Sequence, residues 1–431
     1  QYEVARLSGA PFEMGTDDLL ILCILFGWLG FLAIHKEAIF PHSPLNWPIG
    51  IFFAIALLSL APLVATKSSH TFSVVALHLL KWFEYVIIYF VTVRVVRDWK
   101  KVEAFLYLSL ISCAVVTIVQ IYMMLTKQYK VVVYTPEGLL FSSIPGFESN
   151  GILGAYYVFF VGFVLALIAN STSYLRQGLL LGYASLLSFC LFFTFSRAAY
   201  IGLVATMIVI AVRSSKVRFR VPLIVFMVAI IALVFFLKPV MTRILMTVQP
   251  SATGAPTLEM SAMERLINWR NAFSIFVENP FSLVAGIGFW GSRFHGTFGF
   301  STPHNYYLAL LVETGILGLG VFCWLLKRII HNTLKLRLQA QGNLFSESLS
   351  IGYLAGLVGL LTHAFFGETF ESFRILGPFW FLTGLVMAAI TIQRQEEMQR
   401  QVGDVGEPKE PVVEPALAGT HTKQFHKRFF Q

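Results

Sequence analysis

The hydrophobic positions of this chain come in long, nearly unbroken runs separated by short charged stretches. Eleven candidate spans lie near 19–34, 46–65, 74–93, 103–125, 152–170, 178–194, 198–212, 221–237, 304–325, 349–366 and 374–393. Each approaches the roughly 20 apolar residues that cross a hydrocarbon core of about 30 Å. In lipid a backbone must satisfy its own hydrogen bonds, so such runs predict helices. The pattern predicts an all-α, polytopic membrane protein. The chain begins at Gln1, and a further upstream span would bring the crossings to twelve.

Residues 178–212 are almost continuously apolar, broken only by Ser196-Arg197. One helix of that length would reach about 52 Å at about 1.5 Å per residue, too long for a bilayer. Two helices with a tight outer turn are predicted instead, which puts Arg197 at the outer interface.

Charge gives the spans a direction. Arg94, Arg97, Lys100 and Lys101 form one basic connection, and Arg213, Lys216, Arg218 and Arg220 a second. Lys327, Arg328, Lys335 and Arg337 mark a third. The positive-inside rule places all three in the cytoplasm. An odd number of crossings then leaves the segment Gln1–Asp18 outside. Its Glu3, Glu13, Asp17 and Asp18 against Arg6 make it net acidic.

Two outer segments are long, 126–151 and 238–303. Long translocated loops escape the charge rule, so Lys238, Arg243, Arg265, Arg270 and Arg293 in the second need another explanation. Thr257–Glu278 reads as an amphipathic helix with Leu258, Met263, Leu266, Trp269 and Phe273 at its apolar spacing. Pro280 stops it, and Gly286, Gly288 and Gly291 predict a flexible turn. The expected organisation is a transmembrane domain over 1–393, including the outer loop 238–303, and a disordered cytoplasmic tail over 394–431.

Composition agrees. Hydrophobic residues make up 56% of the 431, charged residues 13%, against about 25% charged in a soluble domain. The net charge of +9 is a topology signal here and does not point to nucleic acid. Cys23, Cys113, Cys190 and Cys323 all lie inside apolar runs, as small hydrophobes rather than disulfides or metal ligands. There is no HExxH, no paired cysteine motif and no phosphate-cradling Walker loop, so neither a metal nor a nucleotide cofactor is expected. Asp17-Asp18 could bind Mg²⁺ or Mn²⁺, and a simple flank of the first span is the commoner reading.

The candidate chemistry gathers at one face. Topology brings Arg197, Arg265, Arg270 and His304 to the outer side, although about a hundred residues separate them. Arginine presents a planar fork that grips phosphate oxygens, so this set suits an anionic, lipid-borne substrate. His304 follows Pro303 at the start of a span, where a helix N-terminus disfavours a proton on the ring. A neutral imidazole is competent as a general base, and the plainer alternative is a histidine that caps the helix. His78, Lys81 and Glu84 share a face of the third span, where a buried Lys81–Glu84 pair is the simpler reading. His363, Glu368, Glu371 and Arg374 surround the last outer turn, either lining the same cavity or anchoring helix ends.

Four short stretches resemble the bacterial O-antigen ligase and O-antigen polymerase superfamily. TPHNYYLALLVETGILGLGVF (302–322) is similar to the family's span-opening Pro-His-Asn followed by Glu-x-Gly, here His304, Asn305, Glu313 and Gly315. TFSRAAYIGL (194–203) resembles its Ser-Arg motif with Arg197, and ERLINWRNAF (264–273) its outer Arg-x-x-x-Trp helix with Arg265 and Trp269. GFESNGILGAYY (146–157) resembles its Asn-containing entry to a span, with Asn150. The likeness covers about 140–325, and elsewhere extends to hydropathy alone.

The resemblance implies a metal-independent, cofactor-free glycosyltransferase with a GT-C-like fold in the bacterial inner membrane, its active site facing the periplasm. It implies a glycan donor on undecaprenyl diphosphate, held by Arg197 and Arg265 with Arg270 as an extra contact. His304 would be the base of an inverting transfer. Asn150 and Glu313, and His363 and Lys81 outside the resemblance, are supporting candidates. A lipid A–core acceptor would make the protein a ligase, and a growing glycan a polymerase. A lipid or sugar transporter without chemistry is the rival of another class; internal repeats and polar residues near mid-membrane would mark it, and no clear repeat is present.

Overall fold

The computed structural model describes residues 16–36, 40–61, 69–128, 130–135, 138–144, 147–213, 238–245, 248–250, 256–258, 260–295, 302–340 and 342–406. Its first helices are α1 (Thr16–His35), α2 (Asn46–Leu58), α3 (Ser69–Val95), α4 (Trp99–Thr126), α5 (Asn150–Asn170), α6 (Tyr174–Phe192) and α7 (Arg197–Arg213). The remainder are α8 (Lys238–Leu245), α9 (Met260–Glu278), α10 (Ser282–Ala285), α11 (Tyr306–Leu338), α12 (Leu344–His363) and α13 (Phe373–Gly406). Among the described residues, seven helices are long and apolar enough to cross a membrane: α3, α4, α5, α6, α11, α12 and α13. This is a polytopic, helical membrane protein. Each predicted span falls on a helix except 221–237, which lies outside the described residues; of the span 46–65, α2 covers 46–58 and residues 62–65 lie outside the described residues. The run 178–212 divides into α6 and α7, as its length requires.

Two small antiparallel ribbons were not expected. β1 (Lys130–Thr135) pairs with β2 (Gly138–Ser143), and β3 (Val248–Pro250) with β4 (Pro256–Leu258). They fall in the two long segments expected on the outer side, 126–151 and 238–303. Hydropathy reports what crosses a membrane, and is blind to a β-branched run such as Val131-Val132-Val133 outside it.

Helix α5 is the centre of the bundle, and its most apolar stretch is entirely buried. It touches α12 nearly backbone to backbone. A Cβ on Gly162 would lie 2.7 Å from the Gly356 nitrogen and 2.8 Å from the Gly352 carbonyl oxygen. Gly352 and Gly356 are one helical turn apart on α12. Lipid tails are as apolar as leucine, so membrane helices associate through such close van der Waals contact and through shared polar bonds. Gln120 of α4 supplies polar bonds: its Nε2 donates to the Cys190 carbonyl at 2.9 Å, and its Oε1 accepts from Tyr157 at 2.6 Å.

The two ends of the bundle are distinct. The Arg337 guanidinium donates to the Arg213 carbonyl at 2.5 Å, so α7 and α11 finish at one end. Arg197 and His304 precede or open the same helices and therefore stand at the other.

Helix α11 is broken at Gly315 (φ 68, ψ −173). The break exposes backbone carbonyls, and the segment after α10 fills the gap. Ile287 N–H donates to the Val312 carbonyl at 2.9 Å, and Gly288 N–H to that of Glu313 at 3.0 Å. No side chain fits between the two backbones: a Cβ on Gly286 would lie 2.1 Å from the Glu313 oxygen. The expected flexible glycine turn is thus a wedge fixed in a span, because buried backbone groups must be paired.

Contacts divide the chain into the compact units Gln1–Ile392 and Gln393–Gln431. The tail expected to be disordered from Arg394 is helical to Gly406. Its Gln, Glu, Met and Arg residues are strong helix formers, a local preference that outweighs polarity. Residues 407–431 lie outside the described residues.

Candidate functional site

A cavity of about 1000 Å³ opens at the Arg197–His304 end of the unit Gln1–Ile392. Seven chain segments meet there, and local devices identifiable in the sequence place the candidate side chains.

Arg197 opens α7 after a tight turn in which Phe195 is left-handed (φ 54). The Ser196 hydroxyl accepts the Ala199 N–H at 3.3 Å, an N-cap that fixes the first turn. Asn150, at the start of α5, donates its amide to the Thr194 carbonyl at 3.1 Å. Asn150 lines the cavity, and it also ties the turn that carries Arg197.

Arg265 and Trp269 reach the cavity from α9. This helix begins at Met260, not Thr257, and its predicted apolar face is not the one it buries. Met263, Leu266 and Phe273 are exposed, whereas Asn268, Ala272 and Ile275 are buried. Ala272 and Ile275 pack on Leu308 and Val312 of α11. The Asn268 amide donates to the Thr302 carbonyl and the Trp269 indole to that of Pro303, both at 2.9 Å. Two polar groups on the inner face outcompete aliphatic ones because they satisfy the strand of backbone entering α11.

His304 follows that backbone in a left-handed conformation (φ 51). Asn305 next to it caps α11, its side chain accepting the Leu308 N–H at 3.1 Å. The His304 imidazole Nδ1 lies 3.6 Å from a carboxylate oxygen of Glu368. Burial holds its proton affinity below the ordinary value of 6.5, and the positive charge of Arg265 lowers it further against the opposing pull of Glu264. The ring is therefore neutral at pH 7.

Arg293 is a cavity residue that sequence reasoning left unassigned. It bonds the Glu371 carboxylate at 2.5 Å, lies 3.8 Å from Glu368 and stacks over Trp290 at 4.6 Å. The signal was its presence, beside Trp290, in a loop the charge rule does not explain. Glu368 and Glu371 line the cavity rather than merely anchoring helix ends. Burial raises the proton affinity of both carboxyls, and Arg293 opposes the rise. Glu148 and His78 are further lining residues. The Ser372 hydroxyl donates to Glu148 at 2.9 Å, and the His78 ring stacks on Trp290 at 3.5 Å.

The remaining candidates fall in different places. His363 lines the cavity, buried, with Nδ1 2.7 Å from the Thr369 hydroxyl. Glu313 is buried behind the wall, where its carboxylate accepts the Ser292 hydroxyl at 2.6 Å. Lys81 is likewise buried outside the cavity, its ammonium 4.8 Å from the Phe373 ring. Arg270 is exposed and does not line the cavity; five residues beyond Arg265, it falls about 140° round the helix, on a different face. Among the described residues, no group of three or more His, Cys, Asp or Glu is placed to hold a metal ion.

Fold and site together define a multi-spanning membrane protein with an arginine-lined cavity at one end of its bundle. Residues 182–323 match the family model described as O-antigen ligase, which supports the resemblance to the O-antigen ligase and polymerase superfamily. The matched region runs from α6 into α11 and contains Arg197, Arg265, Arg293, His304, Glu313 and Gly315. Asn150, His363, Glu368 and Glu371 reach the same cavity from outside it. No protein of curated function matches the sequence.

Proposed function

We propose that the cavity is the active site of a glycosyltransferase that moves a glycan from undecaprenyl diphosphate to lipid A–core. The observation that carries this reading is the meeting of Arg197, Arg265 and His304 in one cavity from three separate segments. Arg197 and Arg265 hold the donor diphosphate and stabilise the charge that grows on it as a leaving group. Neutral His304 takes the proton from the acceptor hydroxyl. The hydroxyl oxygen forms the new bond to the anomeric carbon while the bond from that carbon to the diphosphate oxygen breaks, which inverts the configuration. Side chains alone carry these steps.

Arg293 is balanced by Glu371 and Glu368, so its role is to hold the two acids in the wall. With the basic connections in the cytoplasm, the cavity opens to the periplasmic side of the inner membrane. The family also includes polymerases, for which the acceptor is a second lipid-linked glycan.

The test is reconstitution of the full chain with an undecaprenyl-diphosphate glycan, offering lipid A–core or a second donor as acceptor. Glycosylated lipid A–core establishes the ligase, and a lengthened lipid-linked glycan the polymerase. Absence of any new glycosidic bond with either acceptor overturns the enzymatic reading.

A further inference from the structure

Helix α9 has a second use for the face turned away from the protein. Met263, Ile267, Phe273 and Val277, with Arg270 among them, recur at three- and four-residue intervals, and the four apolar side chains are 40–81% exposed. They form one apolar stripe. Arg270 is exposed within it and makes no ion pair with a described residue. Along one margin of the stripe run Glu264, Asn271 and Glu278, each two turns from the next.

The position of the helix says what covers this stripe. Its inner face packs on Leu308 and Val312, in the first turns of the apolar span α11. The stripe is thus level with the membrane-facing surface of that span. It also continues into it: Phe281 and Val284 are exposed, the Val284 backbone abuts Gly315, and the next residues of α11, Ile316 and Leu317, are exposed in turn. A contiguous apolar patch of this extent is rarely left to water. A helix with an apolar face, a polar margin and a basic side chain is suited to the boundary between headgroups and acyl chains. The aliphatic stem of arginine can lie in the apolar layer while its guanidinium reaches a phosphate.

We propose that α9 is seated in the leaflet at the cavity end of the bundle, with its apolar stripe among phospholipid acyl chains. Arg270 grips a phospholipid phosphate, and the Glu264–Asn271–Glu278 margin faces water. The occupant is bulk phospholipid, so the contact exists without any substrate. The surrounding leaflet thereby steadies the helix that brings Arg265 and Trp269 to the cavity.

The test uses full-length protein carrying Cys23→Ser and Cys323→Ser, in nanodiscs of phosphatidylethanolamine and phosphatidylglycerol. A fluorescent label is placed at Ile267→Cys, Val277→Cys or Glu278→Cys. Lipids with a nitroxide high on the acyl chain should quench labels at 267 and 277 at least about threefold more than at 278, with iodide showing the reverse order. Val277 and Glu278 are adjacent in sequence, so a folding defect would not separate them. Arg270→Gln should weaken lipid quenching at 267. Equal access of iodide to 267, 277 and 278 overturns the proposal. So does protection of 267 and 277 from both quenchers, which would mean that a second protein copy covers the stripe.

Discussion

The indole of Trp269 donates to the carbonyl of Pro303, and this one bond ties the helix bearing Arg265 to the residue before His304. Trp269→Phe removes it while keeping an aromatic ring against Ala272, Ile275, Leu308 and Val312. A typical hydrogen bond contributes about 0.5–1.5 kcal/mol, so the folded protein should persist with a modestly lowered Tm. Turnover depends on placement as well, and should fall roughly tenfold or more as Arg265 and His304 lose their fixed relation. Unchanged kcat with a lowered Tm would show that the bond serves stability alone.

A base held below its ordinary proton affinity leaves a signature in pH. As the proposed base, His304 would act only when unprotonated, so kcat/KM should fall on the acid side, with its midpoint below 6.5. Arg265 is one cause of that depression. In Arg265→Gln the proton affinity of His304 rises, and the acid limb moves toward higher pH even as the overall rate drops. His304→Ala should lose turnover at every pH while retaining donor binding. An acid limb that stays in place in Arg265→Gln would separate the two residues functionally.

How much of this was legible in sequence depended on the range of the signal. Spans announce themselves through local hydropathy, so α6 and α7 could be divided at Ser196-Arg197 from length alone. Arg197, Arg265 and His304 were reachable because topology assigns loops to a face. Arg293 was not, since its role rests on Glu371, 78 residues away. Arg270 was expected as an extra contact beside Arg265, but the face of α9 that packs was chosen by Asn268 and Trp269, whose partners are backbone carbonyls at Thr302 and Pro303. Hydropathy has no entry for a polar residue buried by such a bond. The same limit hid the wedge at Gly315, where three glycines looked like a flexible turn.

Arg293 and Glu371 make a pair that should fail asymmetrically. Breaking a buried pair by removing one partner costs about 3–5 kcal/mol, and the lower end applies to an arginine partly open to solvent. Arg293→Gln leaves Glu368 and Glu371 without their cation and should lower Tm by several degrees. Adding Glu371→Gln removes one of the stranded acids, so the double variant should recover part of the loss. A double variant less stable than Arg293→Gln would mean that Glu371 has another essential partner.

Gly315 and Gly320 lie on the same helix and make a matched comparison. Gly315 has φ 68, and a Cβ there would lie 2.1 Å from the Val284 carbonyl oxygen, whereas Gly320 has nothing within 4 Å. Alanine at 320 meets no obstacle and favours the helix by up to about 1 kcal/mol, so Gly320→Ala should match or exceed the parent in Tm and turnover. Alanine at 315 must both adopt a left-handed backbone and displace the segment around Val284. That segment pairs with Val312 and Glu313 and leads directly to Trp290 and Arg293 in the cavity wall. Gly315→Ala should therefore lose turnover at least about tenfold, the scale expected when supporting structure shifts by an ångström. Proteolysis between Ser282 and Arg293 should rise in parallel, as backbone pairs open. Normal turnover in Gly315→Ala would mean that the wedge is dispensable to the site.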